Sequence, residues 1–335
     1  MTDVLILGGT GWLGARIAER WMDAGAAVTC LARGGRDAPY GARLVVADRE
    51  DDGAYDAVRD RQWDELVDIS SRADHVRAAV AALRPVARHI TYVSSVSVYA
   101  ANDIPDADES AELAAAAEPG DPYDYAREKS AAEAAVRGAF AHRGAIVRPG
   151  LIVAPGDPTD RFGYWPSRFA LAADGPVLVP DDPDGRVQVI DVDDLAAAVV
   201  ALGGEWFTGA VNAVGDSLPL AAVLAQARAV AGHTGDVVAA PPEWLEVQGV
   251  SYWAGPRSLP LWLPDGLPGF ATRSNAAYRL LGGRLRPLRE TLQRVLEDER
   301  ARGLDRPRES GLTREEELAL IAALRADGAA GPARR

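Results

Sequence analysis

A doubly wound α/β architecture, a parallel sheet covered by helices on both faces and followed by a smaller C-terminal lobe, is predicted by three features of the sequence. Short and largely apolar runs alternate with amphipathic stretches through the first 150 residues, the pattern of strands buried on both faces. The glycines of Gly8-Gly9-Thr10-Gly11-Trp12-Leu13-Gly14 stand at the first junction between a run and a stretch. Past residue 150 the composition changes: residues 151–300 carry 14 of the 22 prolines and five of the eight tryptophans.

The elements follow in order. Val4 to Leu7 is too short for a helix and stops at the glycines, which reads as a strand. Trp12 to Ala24 places Leu13, Ile17 and Trp21 on one face, with Gly25 as its stop. Ala27 to Ala32, Leu44 to Ala47, Leu66 to Ile69 and His89 to Ser94 repeat the strand signal. Helices are expected over about 51–61 and 73–84. Residues 100–120 dissolve into Ala, Asp, Glu and Pro, a long acidic loop. A helix from Pro122 to Ala141 and a strand from Ala145 to Arg148 close a dinucleotide-binding domain over 1–150. A substrate lobe is expected over 151–327, some of its segments returning to the sheet, with a tail over 328–335. The stretch Pro287 to Arg302 gathers Leu288, Leu292, Val295 and Leu296 on one helical face. Trp206, Trp244 and Trp262 are assigned to packing.

With 48% hydrophobic and 25% charged residues, the 335-residue chain can bury a large core. Its net charge of −13 repels phosphate backbones and anionic lipid, so neither nucleic acid nor a membrane surface is an expected partner. Cys30 is the one cysteine and forms no internal disulfide. No signal peptide or spanning run is read, so a cytoplasmic protein is expected, with a small molecule as partner and a homodimer as the self-association to test. The four histidines, His75, His89, His142 and His233, lack metal-ligand spacing and are expected at element ends.

Three groups of residues carry chemistry. The glycines fit both G-x-G-x-x-G and G-x-x-G-x-x-G, and between a strand and a helix they let a dinucleotide pyrophosphate approach free amides at a helix N-terminus. Gly8, Thr10, Gly11, Trp12, Leu13 and Gly14 are the candidate contacts. The second strand ends Arg33-Gly34-Gly35-Arg36, where a carboxylate would take the ribose hydroxyls of NAD. A guanidinium suits a 2′-phosphate instead, so Arg33 points to NADP over NAD. Asp48, after the third strand, is a candidate for the adenine amino group.

Tyr125 and Lys129 stand at i and i+4 of one predicted helix and share a face. A cation about 4 Å from a phenol stabilises the phenolate by on the order of 4 kcal/mol at an effective dielectric near 20, against the cost of desolvation. The phenol can then exchange a proton with a carbonyl or alcohol oxygen while nicotinamide takes or gives hydride. Ser95, at the end of the fifth strand, can hold that oxygen, since carboxyl ends of strands are where open α/β sheets bind ligands.

These residues together resemble the short-chain dehydrogenases/reductases, in particular their extended, NAD-dependent epimerase/dehydratase-like branch, over roughly residues 3–200. The resemblance implies a Rossmann half, with Gly8, Gly11 and Gly14 as the nucleotide turn, Ser95 as the catalytic hydroxyl residue, and Tyr125 with Lys129 as the active-site pair, the lysine also contacting the nicotinamide ribose. Val147-Arg148-Pro149-Gly150 looks like the entry to the substrate lobe and Asp191 to Ala196 like a later strand-to-helix junction. Two departures bear on substrate. Arg186 stands one position out of register for the arginine that holds a sugar nucleotide's diphosphate, and Val96-Ser97 replaces the Asp-Glu of the family's dehydratases.

The sequence therefore predicts an NADP-dependent oxidoreductase acting on a carbonyl or alcohol of a small organic substrate. Alternatives are an NAD-dependent epimerase acting on a sugar or sugar nucleotide, and a dinucleotide-sensing protein without turnover. Tyr164, Trp165, Arg168 and Gln188 are the candidate substrate contacts, an aromatic and cationic cleft. No metal site is expected.

Overall fold

The computed structural model describes residues 1–329. In chain order its elements begin β1 (Asp3–Leu7), α1 (Trp12–Asp23), β2 (Ala27–Ala32), β3 (Arg43–Val46), β4 (Trp63–Asp68), α2 (Ala73–Leu83), β5 (Ala87–Val93), α3 (Tyr125–Phe140), β6 (Gly144–Pro149) and β7 (Leu151–Val153). They continue α4 (Arg161–Ala172), β8 (Val177–Pro180), β9 (Arg186–Val187), β10 (Val189–Asp191), α5 (Val192–Gly204), β11 (Gly209–Ala213), β12 (Leu218–Pro219) and α6 (Leu220–Ala231). The last are β13 (Val237–Ala240), α7 (Pro242–Val247), β14 (Ser251–Trp253), β15 (Ser258–Pro260), α8 (Ala276–Leu280), α9 (Leu288–Arg302) and α10 (Arg314–Ala329).

The chain forms two compact units. The first comprises Met1–Ile152, Gln188–Asp216 and Pro268–Leu285. Its seven-stranded sheet runs β11-β6-β5-β4-β1-β2-β3, every pairing parallel. Strand order reverses between β1 and β4, which opens a crevice at their carboxyl ends. Both faces are covered, so successive strand residues are apolar. Val4, Ile6, Val28 and Cys30 face Ile17, Trp21, Leu195 and Val199 of α1 and α5. Leu5, Leu7, Leu66 and Ile90 face Val76, Val80, Val136 and Phe140 of α2 and α3. Each such side chain contributes about 1.5–3 kcal/mol through burial.

The second unit comprises Val153–Val187, Ser217–Leu267 and the chain from Arg286 onward. It holds three strand pairs, β8 with β13 and β14 with β15 parallel, β9 with β12 antiparallel. Within it α9 buries Leu292, Val295 and Leu296, and α4 buries Phe162, Tyr164, Trp165 and Phe169.

Several expectations are corrected. The helix read over 51–61 is a series of turns, with Ala54 N bonded to Asp51 O and Val58 N to Tyr55 O, each a three-residue step. Gly53, at φ +78°, interrupts any helix there. His89 lies inside β5 rather than at its end, bonded to Glu65 Oε2 and the Phe207 carbonyl, 2.7 Å each. Trp262 is buried as expected, but Trp206 is exposed after α5 at φ +49°. Of the tail expected over 328–335, Gly328 and Ala329 end α10 and the remainder lies outside the described residues.

Candidate active site

The first unit builds the dinucleotide turn from backbone. Gly8 N donates to Leu31 O at 2.8 Å, Gly11 N to Gly8 O at 3.0 Å, and Ala15 N to Gly11 O at 2.8 Å, the first bond of α1. Gly8 has φ +95°, a conformation that glycine adopts without strain. A Cβ on Gly14 would lie 2.2 Å from Gly8 O, and one on Gly9 2.4 Å from Cys30 Sγ, so the turn closes only without side chains. Gly8, Thr10 and Gly11 line a cavity of about 710 Å³ with Arg33, Asp48 and Ser70. Trp12, Leu13 and Gly14 are not among its lining and form the first turn of α1.

The far end of this cavity is cationic. Arg33, Arg36 and Arg72 reach it, are exposed, and make no side-chain hydrogen bond or ion pair among the described residues. Asp48 accepts Glu50 N at 3.1 Å, which shapes the loop after β3. Arg49 also lines the cavity, but its guanidinium is held by Asp68. Burial, then Arg49 and Arg72, pull the cavity's His75 below the usual imidazole range. The unpaired arginines and the cradle that a Cβ would fill suit a nicotinamide dinucleotide.

The cavity-lining Ser70 is bonded by a residue of α3, a helix capped by Asp124, whose carboxylate accepts Arg127 N at 2.9 Å. Its first residue, Tyr125, is 42% exposed, whereas Lys129 one turn on is 3% exposed. Lys129 is the only lysine of the chain. Its Nζ donates to Val93 O at 2.7 Å and Ser70 O at 2.8 Å, and lies 4.8 Å from the centroid of the Tyr92 ring. Burial brings this amine down to about 7, while Asp68 and Glu133 pull it back upward. Two residues past Val93, Ser95 caps a short 3-10 turn, its Oγ accepting Ser97 N at 3.1 Å and lying 3.2 Å from Ser97 Oγ. The end of β5 thus carries both the oxygen that holds Lys129 and the Ser95 hydroxyl.

A third residue on this helix face, Glu133, was not singled out from sequence, although its i+4 spacing from Lys129 was visible. It is fully buried and accepts from Arg148 through both oxygens at 2.9 and 2.8 Å, and from Ser94 Oγ at 2.6 Å. Burial would raise this carboxyl, yet the Arg148 bonds hold it below the ordinary range. Arg148 also reaches Tyr99 Oη at 3.0 Å, and Tyr99 bonds Asn212 on β11. The network ties α3 to β5, β6 and β11, and breaking such a buried pair typically costs about 3–5 kcal/mol.

The residues expected to line a substrate cleft are interior in this structure. In the second unit Tyr164 and Trp165 are fully buried, Trp165 Nε1 donating to Pro260 O at 2.7 Å, and Arg168 pairs with Glu317. In the first, Gln188 is spent on Gly215 O, Arg273 O and Arg273 N. Among the described residues no group of three or more His, Cys, Asp or Glu could hold a metal ion, and no helix is long and apolar enough to cross a membrane.

A glycine turn at the reversal point of a parallel sheet, lining one cavity with exposed arginines, defines a dinucleotide-binding α/β protein of Rossmann type. The family model described as NAD dependent epimerase/dehydratase family matches residues 4–212, and the chain belongs to that family, whose cofactor is a nicotinamide dinucleotide. Solved structures with the same fold include a Burkholderia cenocepacia protein described as a candidate epimerase, at 23% identity and TM-score 0.70, covering 90% of this chain and 98% of that one. UDP-glucose 4-epimerase of Thermotoga maritima, solved with UDP-glucose, gives 13% identity and TM-score 0.66, covering 90% and 99%. MoeE5, solved with UDP-glucose and NAD, gives 18% identity and TM-score 0.62, covering 90% and 99%. No curated protein matches the sequence.

Proposed function

We propose that the chain is an epimerase-type enzyme that inverts a secondary alcohol of a small organic substrate, with Tyr125 as general acid/base, Lys129 beside it and Ser95 holding the reacting oxygen. The bound nicotinamide supplies a reversible two-electron acceptor. The observation that carries the reading is the solitary lysine, buried beneath the end of β5 one turn after an exposed tyrosine. A charged Lys129 favours the Tyr125 phenolate, which takes the proton of the substrate hydroxyl and returns it after the carbon is reduced on its other face. Ser95 Oγ retains a lone pair and, by rotation, its proton for that oxygen. The glycine turn would hold the pyrophosphate, and Lys129 the ribose.

The family assignment supports this turnover better than the one-way reduction to which Arg33 points from sequence. Neighbours solved with UDP-glucose support a sugar nucleotide as substrate class. Arg186, the residue nearest in sequence to a diphosphate-holding arginine, is bonded instead to Ser217 Oγ and O at 3.2 and 3.0 Å. The second reading is an NADP-dependent reductase. Its support is the set of unpaired arginines, Arg33, Arg36 and Arg72, which suits a 2′-phosphate.

The purified protein, given each dinucleotide with UDP-sugars, is expected to form an epimer, seen by NMR, with no net change in nicotinamide absorbance. Stoichiometric NADPH consumption with a ketone would favour the reductase. Dinucleotide binding with neither reaction across sugar and non-sugar alcohols would defeat both.

A further inference from the structure

Between the dinucleotide cavity and Lys129 runs a set of contacts that the chemistry above does not use. Arg49 grips Asp68 with both terminal nitrogens, 2.8 Å to Oδ1 and 2.6 Å to Oδ2, and Asp68 is wholly buried at the end of β4. The same carboxylate accepts Ser70 N at 2.9 Å, and Ser70 O accepts both Lys129 Nζ, at 2.8 Å, and Tyr92 Oη, at 3.0 Å. Arg49 also donates to Tyr55 Oη at 2.9 Å and to His75 O at 2.7 Å. One ion pair therefore fixes the turn that supplies one of the two oxygens on which Lys129 rests.

The charges around the amine are balanced in an unusual way. No carboxylate bonds Nζ among the described residues, and those that act on it are Asp68 from β4 and Glu133 from its own helix. Each already faces arginine: Arg49 for Asp68, Arg148 and Arg137 for Glu133. Tyr92 from β5 stays neutral under burial, and Tyr125 precedes it on α3 while His75 stands on α2 beside the Ser70 turn. A buried ammonium between two compensated pairs gains little net attraction, so desolvation prevails.

We propose that Arg49 and Asp68 are positioning residues for Lys129: the pair holds the Ser70 carbonyl against the amine, and Arg49 offsets part of the upward pull that Asp68 exerts on it. The proposal rests on the reading above only for what Lys129 does in turnover.

Because the chain has one lysine, protein grown on isotope-labelled lysine gives a single side-chain NMR signal whose titration needs neither substrate nor cofactor. Its midpoint is expected at about 7. Arg49→Gln leaves the Asp68 pull unopposed and should move the midpoint up by about one pH unit, the effect of a unit charge several ångströms away at an effective dielectric of about 20. Asp68→Asn leaves Arg49 uncompensated and should move it down by a similar amount, and the double variant should return it toward the parent. Movement in the same direction in both variants, or none in folded protein, overturns the proposal, since damage to the turn alone has no reason to reverse sign. Should Asp68→Asn fail to fold, Arg49→Gln decides by itself: an unmoved or lowered midpoint is fatal. A signal that moves as stated while the pH profile of kcat stays fixed upholds the Arg49–Asp68 pair and faults the catalytic reading of Lys129.

Discussion

Lys129 Nζ and the Val93 carbonyl oxygen lie 2.7 Å apart, a bond that pins the first half of α3 to the carboxyl end of β5. Tyr125, one turn earlier on the same helix, is exposed to solvent. The contrast between a buried lysine and a partly exposed tyrosine suits the acid/base pair proposed above, in which one group must feel burial and the other must meet substrate.

Tyr125→Phe removes one hydroxyl from a half-open position. The fold and dinucleotide affinity should be unchanged, while turnover should fall by roughly 10²- to 10⁴-fold, the usual worth of a placed proton donor. Calorimetric titration of the cofactor beside an activity assay separates the two effects, and retained turnover would take the tyrosine out of the chemistry.

Replacing Lys129 with Met should change how stability depends on pH. The folded amine titrates at about 7 against an ordinary 10.5. Between those values the unfolded chain carries a proton that the folded chain lacks, so the parent gains stability as pH rises through the window. The variant should lose that slope, and its stability relative to the parent should be greatest at and below the lower limit. Urea midpoints on either side of the window measure it, and parallel curves would contradict the depressed amine.

Arg33→Ala should weaken NADP by about tenfold or more and leave NAD nearly unaffected, because a charged hydrogen bond to a phosphate contributes about 1.5–3 kcal/mol. Equal losses for both dinucleotides would place Arg33 elsewhere on the ligand.

Gly14→Ala should abolish dinucleotide affinity and destabilise the first unit by about 1–3 kcal/mol, the ordinary cost of overpacking. The new methyl would meet Gly8 O at 2.2 Å, a backbone atom that cannot rotate aside. Normal affinity in this variant would show that the turn can open.

Local periodicity made the first half of the chain readable. β2 occupies Ala27–Ala32 as its apolar run indicates, and α1 starts at Trp12 because Gly8 to Gly11 cannot sustain a helix. The candidate site was legible as far as its contributors lie within one turn or at one strand end: the glycines, Ser95, Tyr125 and Lys129. What supports them was not. Ser70 and Val93 reach Lys129 through backbone oxygens far off in sequence, Asp68 acts on it by charge alone, and no residue pattern encodes a carbonyl acceptor. The return of β11 to pair with β6 is likewise set across some sixty residues of intervening chain. Tyr164 and Trp165 look the same in sequence whether they line a cleft or fill a core, and in the second unit they fill it.

Cys30 sits in β2 with its sulfur pressed behind Gly9, and burial lifts the thiol to about 11. An alkylating reagent can therefore reach it only during excursions that part β2 from the loop in front of it, so the labelling rate is a clock for those openings. A coenzyme seated on that loop should slow the clock, which turns the chain's one thiol into a reporter of occupancy that needs no knowledge of the substrate.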